Sequence, residues 1–207
     1  MIPVRMGREN GVAVDMPRGY RHSLAVTETK SAVTLASRAR CRRSAPQVDE
    51  WSASTVDALN RLSDSGRVDD VVVIAHSLSC LLWLGARPDS PLAVSRVLLV
   101  APPSVRVVAG FDDIAAFASL PLAVSPLDAR STRVVASDDD PFTPDGAEAE
   151  FGLPLGIPTT ILPGQQHFTV DSGYGEWPSL VEWCFDPGAT IRTGTTASSR
   201  RGRAARG

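Results

Sequence analysis

The chain of 207 residues suffices for one domain with a proper core, 43% of it is hydrophobic, and no apolar run approaches the roughly 20 residues of a membrane span. The net charge of −2 hides an acidic middle, −13 over residues 47–188, between basic ends of +6 (residues 1–46) and +5 (residues 189–207). Neither basic end interleaves aromatic residues with its arginines or forms a basic amphipathic helix, which argues against a nucleic-acid or membrane partner and reads as disorder instead.

Residues 1–46 read as an atypical, Arg-rich segment. Residues 11–15 suit a short strand and residues 31–39 a weak helix, while residues 38–43 offer no apolar face. The acids Glu9, Asp15 and Glu28 argue against a transit peptide, and the lack of a continuous apolar stretch after Arg5 argues against a secretory signal. The abrupt change of pattern near residue 46 is what a shifted frame or a misplaced start would produce.

A regular domain is expected over residues 47–188. Val48, Trp51, Val56, Leu59 and Leu62 recur at helical spacing. After a polar turn over residues 63–70, Val71-Val72-Val73-Ile74 suits a strand buried on both faces. Ala75-His76-Ser77-Leu78-Ser79 interrupts it, and an apolar helical stretch follows from Cys80 to about Gly85 and Pro88. Residues 97–101, 133–137 and 158–162 are further strands. Residues 104–131 read mostly as connection and residues 138–146 as a turn. Residues 177–185 are helical in character, and everything after Pro187-Gly188 reads as a basic, disordered tail. Short continuous apolar strands joined by helical stretches predict an α/β domain with a parallel sheet. Cys41, Cys80 and Cys184 form an odd set without metal-ligand spacing, Cys80 and Cys184 look like buried small hydrophobes, and a reducing, cytoplasmic compartment is expected.

Strand, tight turn with a central serine, then helix is the layout of a nucleophile elbow. The turn pushes the Ser77 hydroxyl clear of the backbone, small flanking residues let strand and helix approach, and the helix N-terminus aims free N–H groups at developing negative charge. The flanking residues here are Ala75 and Ser79 rather than two glycines, and Ser77 would also serve as a plain helix cap. A serine nucleophile needs a base and a group to orient it. His22 lies in the atypical segment, and His76 is expected to point elsewhere if Ser77 occupies the elbow. His167 remains, following the strand at residues 158–162. An acid is expected after another strand, and Asp138-Asp139-Asp140 follows residues 133–137; turn chemistry is the competing reading of that run. Ser, then Asp, then His, each at a strand end, is the chain order of α/β-hydrolases.

These pieces resemble the small serine hydrolases of the α/β-hydrolase superfamily, the group that includes retinoblastoma-binding protein 9. The resemblance rests on Ala75-His76-Ser77-Leu78 with Cys80, on Leu98 to Pro102, and on Ala136 to Phe142. It continues through His167-Phe168 and the closing Ser172-Gly173-Tyr174-Gly175-Glu176-Trp177-Pro178, and spans about residues 65–185. It implies a three-layer α/β-hydrolase-like fold and a hydrolase acting on an ester or related acyl group of a small molecule. Ser77 is then the nucleophile, His167 the general base, Asp140 the orienting acid and the Leu78 backbone N–H an oxyanion donor; no cofactor or metal is expected. Asp140 is preferred because the family's Asp stands two residues ahead of a residue–Pro pair, here Thr143-Pro144.

The chain departs from that family in three places. Ser79 and Gln166 stand where glycine is usual, and Gln166 matters if its position needs a positive φ. Residues 1–46 contain no apolar strand ending in a Pro-Gly turn, the element that supplies the family's second oxyanion donor. That gap keeps open a non-catalytic binding protein, or a damaged copy, with an incomplete oxyanion hole.

Overall fold

The computed structural model describes residues 24–28, 47–64, 71–86, 94–124, 131–169 and 172–194. Of residues 1–46 only 24–28 are described; the strand expected at residues 11–15, the helix at 31–39, the basic run at 38–43, His22, Cys41 and residues 195–207 lie outside the described residues.

A five-stranded sheet runs in the order β1 (Leu24–Glu28), β2 (Val71–His76), β3 (Arg96–Val100), β4 (Thr132–Ala136), β5 (Thr159–Ile161). β2 to β5 are parallel, and β1 joins the edge of β2 antiparallel. Each parallel step needs a crossover. The first is α2 (Leu78–Ala86), after α1 (Val48–Asp64) has led into β2. The second holds the short helices α3 (Val105–Val108) and α4 (Ala115–Ala118). The third is a π-helical turn, Glu148–Gly152, continuing into α5 (Leu153–Leu155). α6 (Pro178–Phe185) closes the domain.

In β2, β3 and β4 successive residues face opposite sides, and both faces of this central part of the sheet are covered. Val71, Val73, Ala75, Val97, Leu99, Val134 and Ala136 pack with Leu59 of α1, the apolar residues of α2, Phe117 of α4 and Phe151. Val72, Leu98, Val100 and Val135 pack on the other face with Phe168, Tyr174, Trp177, Leu180 and Trp183. This double burial is why the strands read as continuous apolar runs instead of alternating ones. The result is three layers, an α/β-hydrolase-like arrangement with a mostly parallel sheet.

Three features differ from the sequence expectation. β1 forms inside the segment read as atypical. Residues 104–131 hold two helical turns, α3 and α4, within the expected connection. The tail expected to be disordered from residue 189 is packed as far as residue 194. The Arg192 carbonyl accepts hydrogen bonds from Trp177 Nε1 at 2.6 Å and Ser179 Oγ at 2.9 Å, the Gly194 N–H donates to the Tyr174 hydroxyl, and Ile191 is buried. Such long-range backbone bonds leave no trace in composition.

Close packing fixes α2 against the segment after α4. A Cβ added at Gly85 would collide with Cβ of Leu120, which belongs to the chain and not to a flexible tip. Gly85→Ala is therefore expected to lower stability by about 1–3 kcal/mol despite alanine's better helix propensity. Urea unfolding of the two proteins side by side measures it; an unchanged midpoint would contradict the packing.

Candidate active site

The sheet positions the site by letting its hydrogen-bond ladder run one residue past each strand. The N–H of Ser77 donates to Val100 O at 3.0 Å, that of Ala101 to Val135 O at 2.8 Å, and that of Leu162 to Ala136 O at 2.8 Å. The loops that follow β2, β3, β4 and β5 thus leave from one common edge, where open α/β sheets gather their ligand-binding groups.

Ser77 sits at φ 58°, in the left-handed region, between β2 and α2. A non-glycine residue there costs about 1–2 kcal/mol, so the turn persists only because its surroundings hold it. Cys80 does much of this. Its N–H donates to Ser77 O at 2.8 Å, and its thiol lies 3.3 Å from Ala75 O and 3.4 Å from Val100 O, tying the first turn of α2 to both neighbouring strands. Ala75 and Ser79 are fully enclosed, which shows why small residues flank the serine. Leu78 opens α2, so its N–H is among the first four that lack an intrahelical partner and carry the positive end of the helix dipole.

The residues expected to act together are together. Ser77 Oγ lies 2.9 Å from His167 Nε2, and His167 Nδ1 lies 2.8 Å from Asp140 Oδ2. A carboxylate only accepts, so Nδ1–H donates to Asp140, and in the neutral ring the Nε2 lone pair then faces the serine hydroxyl. Asp140 Oδ1 accepts the Phe142 N–H at 2.9 Å, leaving both carboxylate oxygens engaged. The Asp140 side chain is wholly enclosed, whereas that of His167 keeps 10% of its surface open. The Phe142 ring rests 4.6 Å from the His167 ring and remains partly exposed, forming an apolar wall beside the imidazole. Thr143 Oγ1 donates to Pro102 O at 2.6 Å and pins this turn to the exit of β3.

The loop ahead of His167 is held residue by residue. Asp138 Oδ1 accepts the Gly164 N–H at 2.8 Å, Ser137 Oγ accepts that of Gln165 at 2.8 Å, and Asp139 Oδ1 accepts that of Gln166 at 2.7 Å. The acidic run is thus turn chemistry for two of its members and the imidazole's partner for the third. Gln166 does adopt a positive φ, 47°. Behind the ring, His76 Nε2 donates to the His167 carbonyl at 2.9 Å, with ring centroids 5.1 Å apart. His76 therefore turns its Nε2 to the main chain of His167 and braces it, a role the sequence did not suggest. Its place beside the elbow serine was the available signal. Among the described residues, no group of three or more His, Cys, Asp or Glu is arranged to hold a metal ion. No described helix is long and apolar enough to cross a membrane.

The family model of the serine hydrolases matches residues 22–184, so the chain belongs to the serine hydrolase family. The match takes in β1 as well as the elbow and the His167 loop. Among solved structures the chain is similar to the ydeN gene product from B. subtilis, with 18% identity over 67% of this chain and 73% of that one and a TM-score of 0.48. No curated protein matches the chain.

Two outcomes follow from the ionisation of this region. Burial pushes the Cys80 thiol far above its ordinary value and that of Cys184 up to about 12, so neither forms thiolate near neutrality. Iodoacetamide at mildly alkaline pH is expected to leave both unmodified in the folded protein and to alkylate both after denaturation, read by peptide mass mapping. The hydrogen bonds from Ser137 and then from the Gln166 N–H hold the Asp139 carboxyl below its ordinary value of 3.8. A lowered folded value means that its stabilising contribution is complete above the ordinary value and is lost as pH falls through the folded one. The stability difference between wild type and Asp139→Asn should be constant above about pH 5 and shrink in more acidic solution, as measured by thermal melts.

Proposed function

We propose that the protein is an esterase-like serine hydrolase that cleaves an ester or related acyl bond of a small molecule through Ser77, His167 and Asp140. The single observation that supports this most is the unbroken hydrogen-bond chain from the Ser77 hydroxyl through the His167 imidazole to Asp140, seated at the mouth of a left-handed turn. In this reading Ser77 Oγ attacks the acyl carbon as His167 Nε2 takes its proton. Asp140 fixes the Nδ1–H tautomer and stabilises the imidazolium. The Leu78 N–H faces the developing oxyanion at the start of α2. The carbon–oxygen bond to the leaving alcohol then breaks as His167 returns the proton to it. Water attacks the acyl-serine with His167 again as base, releasing the acid and restoring the hydroxyl. Every proton is accounted for by His167, and no cofactor is required by the scheme.

One observation favours a second reading, a binding protein that retains the fold without turnover. β1 runs antiparallel to β2 and pairs Leu24 with Ala75 and Glu28 with Val71. Glu28, the last residue of β1, therefore lies at the amino end of β2, the end remote from Ser77, whereas in the family resembled the end of such a strand leads to the second oxyanion donor. Loss of one such donor typically costs about 100–1,000-fold in rate.

A fluorophosphonate probe and short p-nitrophenyl esters separate the two. The hydrolase reading expects labelling of Ser77, its abolition in Ser77→Ala, and a fall of about 10,000-fold in kcat for Asp140→Asn through the wrong His167 tautomer. A cooperative melt with neither labelling nor ester turnover establishes the binding protein instead.

A further inference from the structure

We propose that Asp139 is a positioning residue for His167: its carboxylate, oriented by Ser137, holds the Gln166 amide and so keeps the residue before the imidazole in the left-handed conformation that the Ser77–His167–Asp140 chain requires. The proposal rests on the reading of His167 as general base. Gln166 is exposed and makes its turn at φ 47°, a conformation that an L-residue with a side chain adopts only under constraint. Gly164, two residues earlier at φ 69°, is free of that difficulty because it has no Cβ.

The constraint on Gln166 is visible. One carboxylate oxygen, Asp139 Oδ1, accepts both the Gln166 N–H at 2.7 Å and the Ser137 hydroxyl at 2.6 Å. Ser137 Oγ in turn accepts the Gln165 N–H at 2.8 Å, so two consecutive amides of the loop are gripped from a single point at the end of β4. A charged acceptor makes such bonds short and directional. The next residue along is His167, whose Nε2 and Nδ1 must both meet partners within hydrogen-bond reach. A rotation at Gln166 swings the imidazole off that line, and small misplacements of a catalytic group carry large kinetic penalties. The hydrogen bonds of Asp139 go to Ser137 and to the Gln166 amide, not to Ser77 or the imidazole, so its effect is transmitted through the backbone of Gln166.

The test is a double-mutant cycle on p-nitrophenyl ester hydrolysis. Asp139→Ala is expected to lower kcat about 10–100-fold while KM moves less than about threefold, because alignment and not ground-state binding is lost. In a Gln166→Gly background the left-handed turn no longer needs support, and the same change should cost less than about threefold. A second readout needs no turnover: the low-field proton resonance of the His167–Asp140 bond should be present in the wild type, lost in Asp139→Ala and regained in the double variant. If Asp139→Ala does not fold, Asp139→Asn, which keeps a weaker acceptor, gives the same comparison at smaller amplitude. Equal penalties in both backgrounds, or an unchanged kcat and resonance in the Asp139 variant, overturn the proposal. A wild type that neither turns over ester nor labels at Ser77 overturns the hydrolase reading, and the resonance series then decides the positioning role by itself.

Discussion

Parallel pairing with matched carboxyl ends is the constraint on which the site depends. His76 lies beside Val100, Val100 beside Val135, and Ala136 beside Ile161. Because the strands end nearly level, Ser77, Ala101, Ser137 and Leu162 leave the sheet side by side, and residues separated by 90 positions in the chain meet at 2.9 Å. A slip of one residue between β2 and β3, or between β3 and β4, would exchange the two faces of a strand and bury the wrong side chains. The apolar alternation that keeps the cores apart is thus also what keeps the hydroxyl, imidazole and carboxylate in line.

Around that edge the backbone is bent four times into the left-handed region without glycine, at Ser77, Ala101, Gln166 and Phe168. Each bend has a visible restraint. Ser77 has Cys80 and the body of α2, Ala101 donates its N–H to Val135, and Gln166 has Asp139. Phe168 is completely buried, stacked 5.3 Å from Trp177 and edge-on to Tyr174. Strain of this kind concentrates where structure must aim a reactive group and is sustained by packing elsewhere. Fully buried Val, Leu and Phe side chains, each worth about 1.5–3 kcal/mol, supply the margin in a protein whose net stability is only ~5–15 kcal/mol.

The central strands, α1, α2 and α6, and the grouping of Ser77 and His167 with an acid of the run 138–140, are legible because they rest on local signals: continuous apolar runs, 3.6-residue periodicity, and reactive residue types at strand ends. What was not legible depends on distant partners. β1 is a five-residue edge strand whose pairing with β2 leaves no local pattern. The π-helical turn and α5 run through Gly152 and Pro154, residues that argue against helix, yet Gly152 lets this turn approach Thr159 closely. The role of His76 is not legible because its partner is a main-chain carbonyl 91 residues away. Of the three consecutive aspartates, residue type alone could not separate the imidazole's partner from the two that clamp the loop; the resemblance to a known motif made that choice.

The imidazole is held from both chain directions, and the two restraints differ in kind. On the N-terminal side, polar groups at the end of β4 grip the backbone of residues 164–166. On the C-terminal side, Phe168, Tyr174 and Trp177 form an aromatic cluster that is anchored in turn by residues 189–194 through the Trp177–Arg192 and Tyr174–Gly194 hydrogen bonds. Hydrogen bonds fix direction but yield easily to water at an exposed edge; aromatic packing resists displacement but is less directional. Together they fix both the direction of the His167 ring and the place of its main chain. The segment 189–194 therefore belongs to the machinery that supports the site, although it lies beyond the last helix.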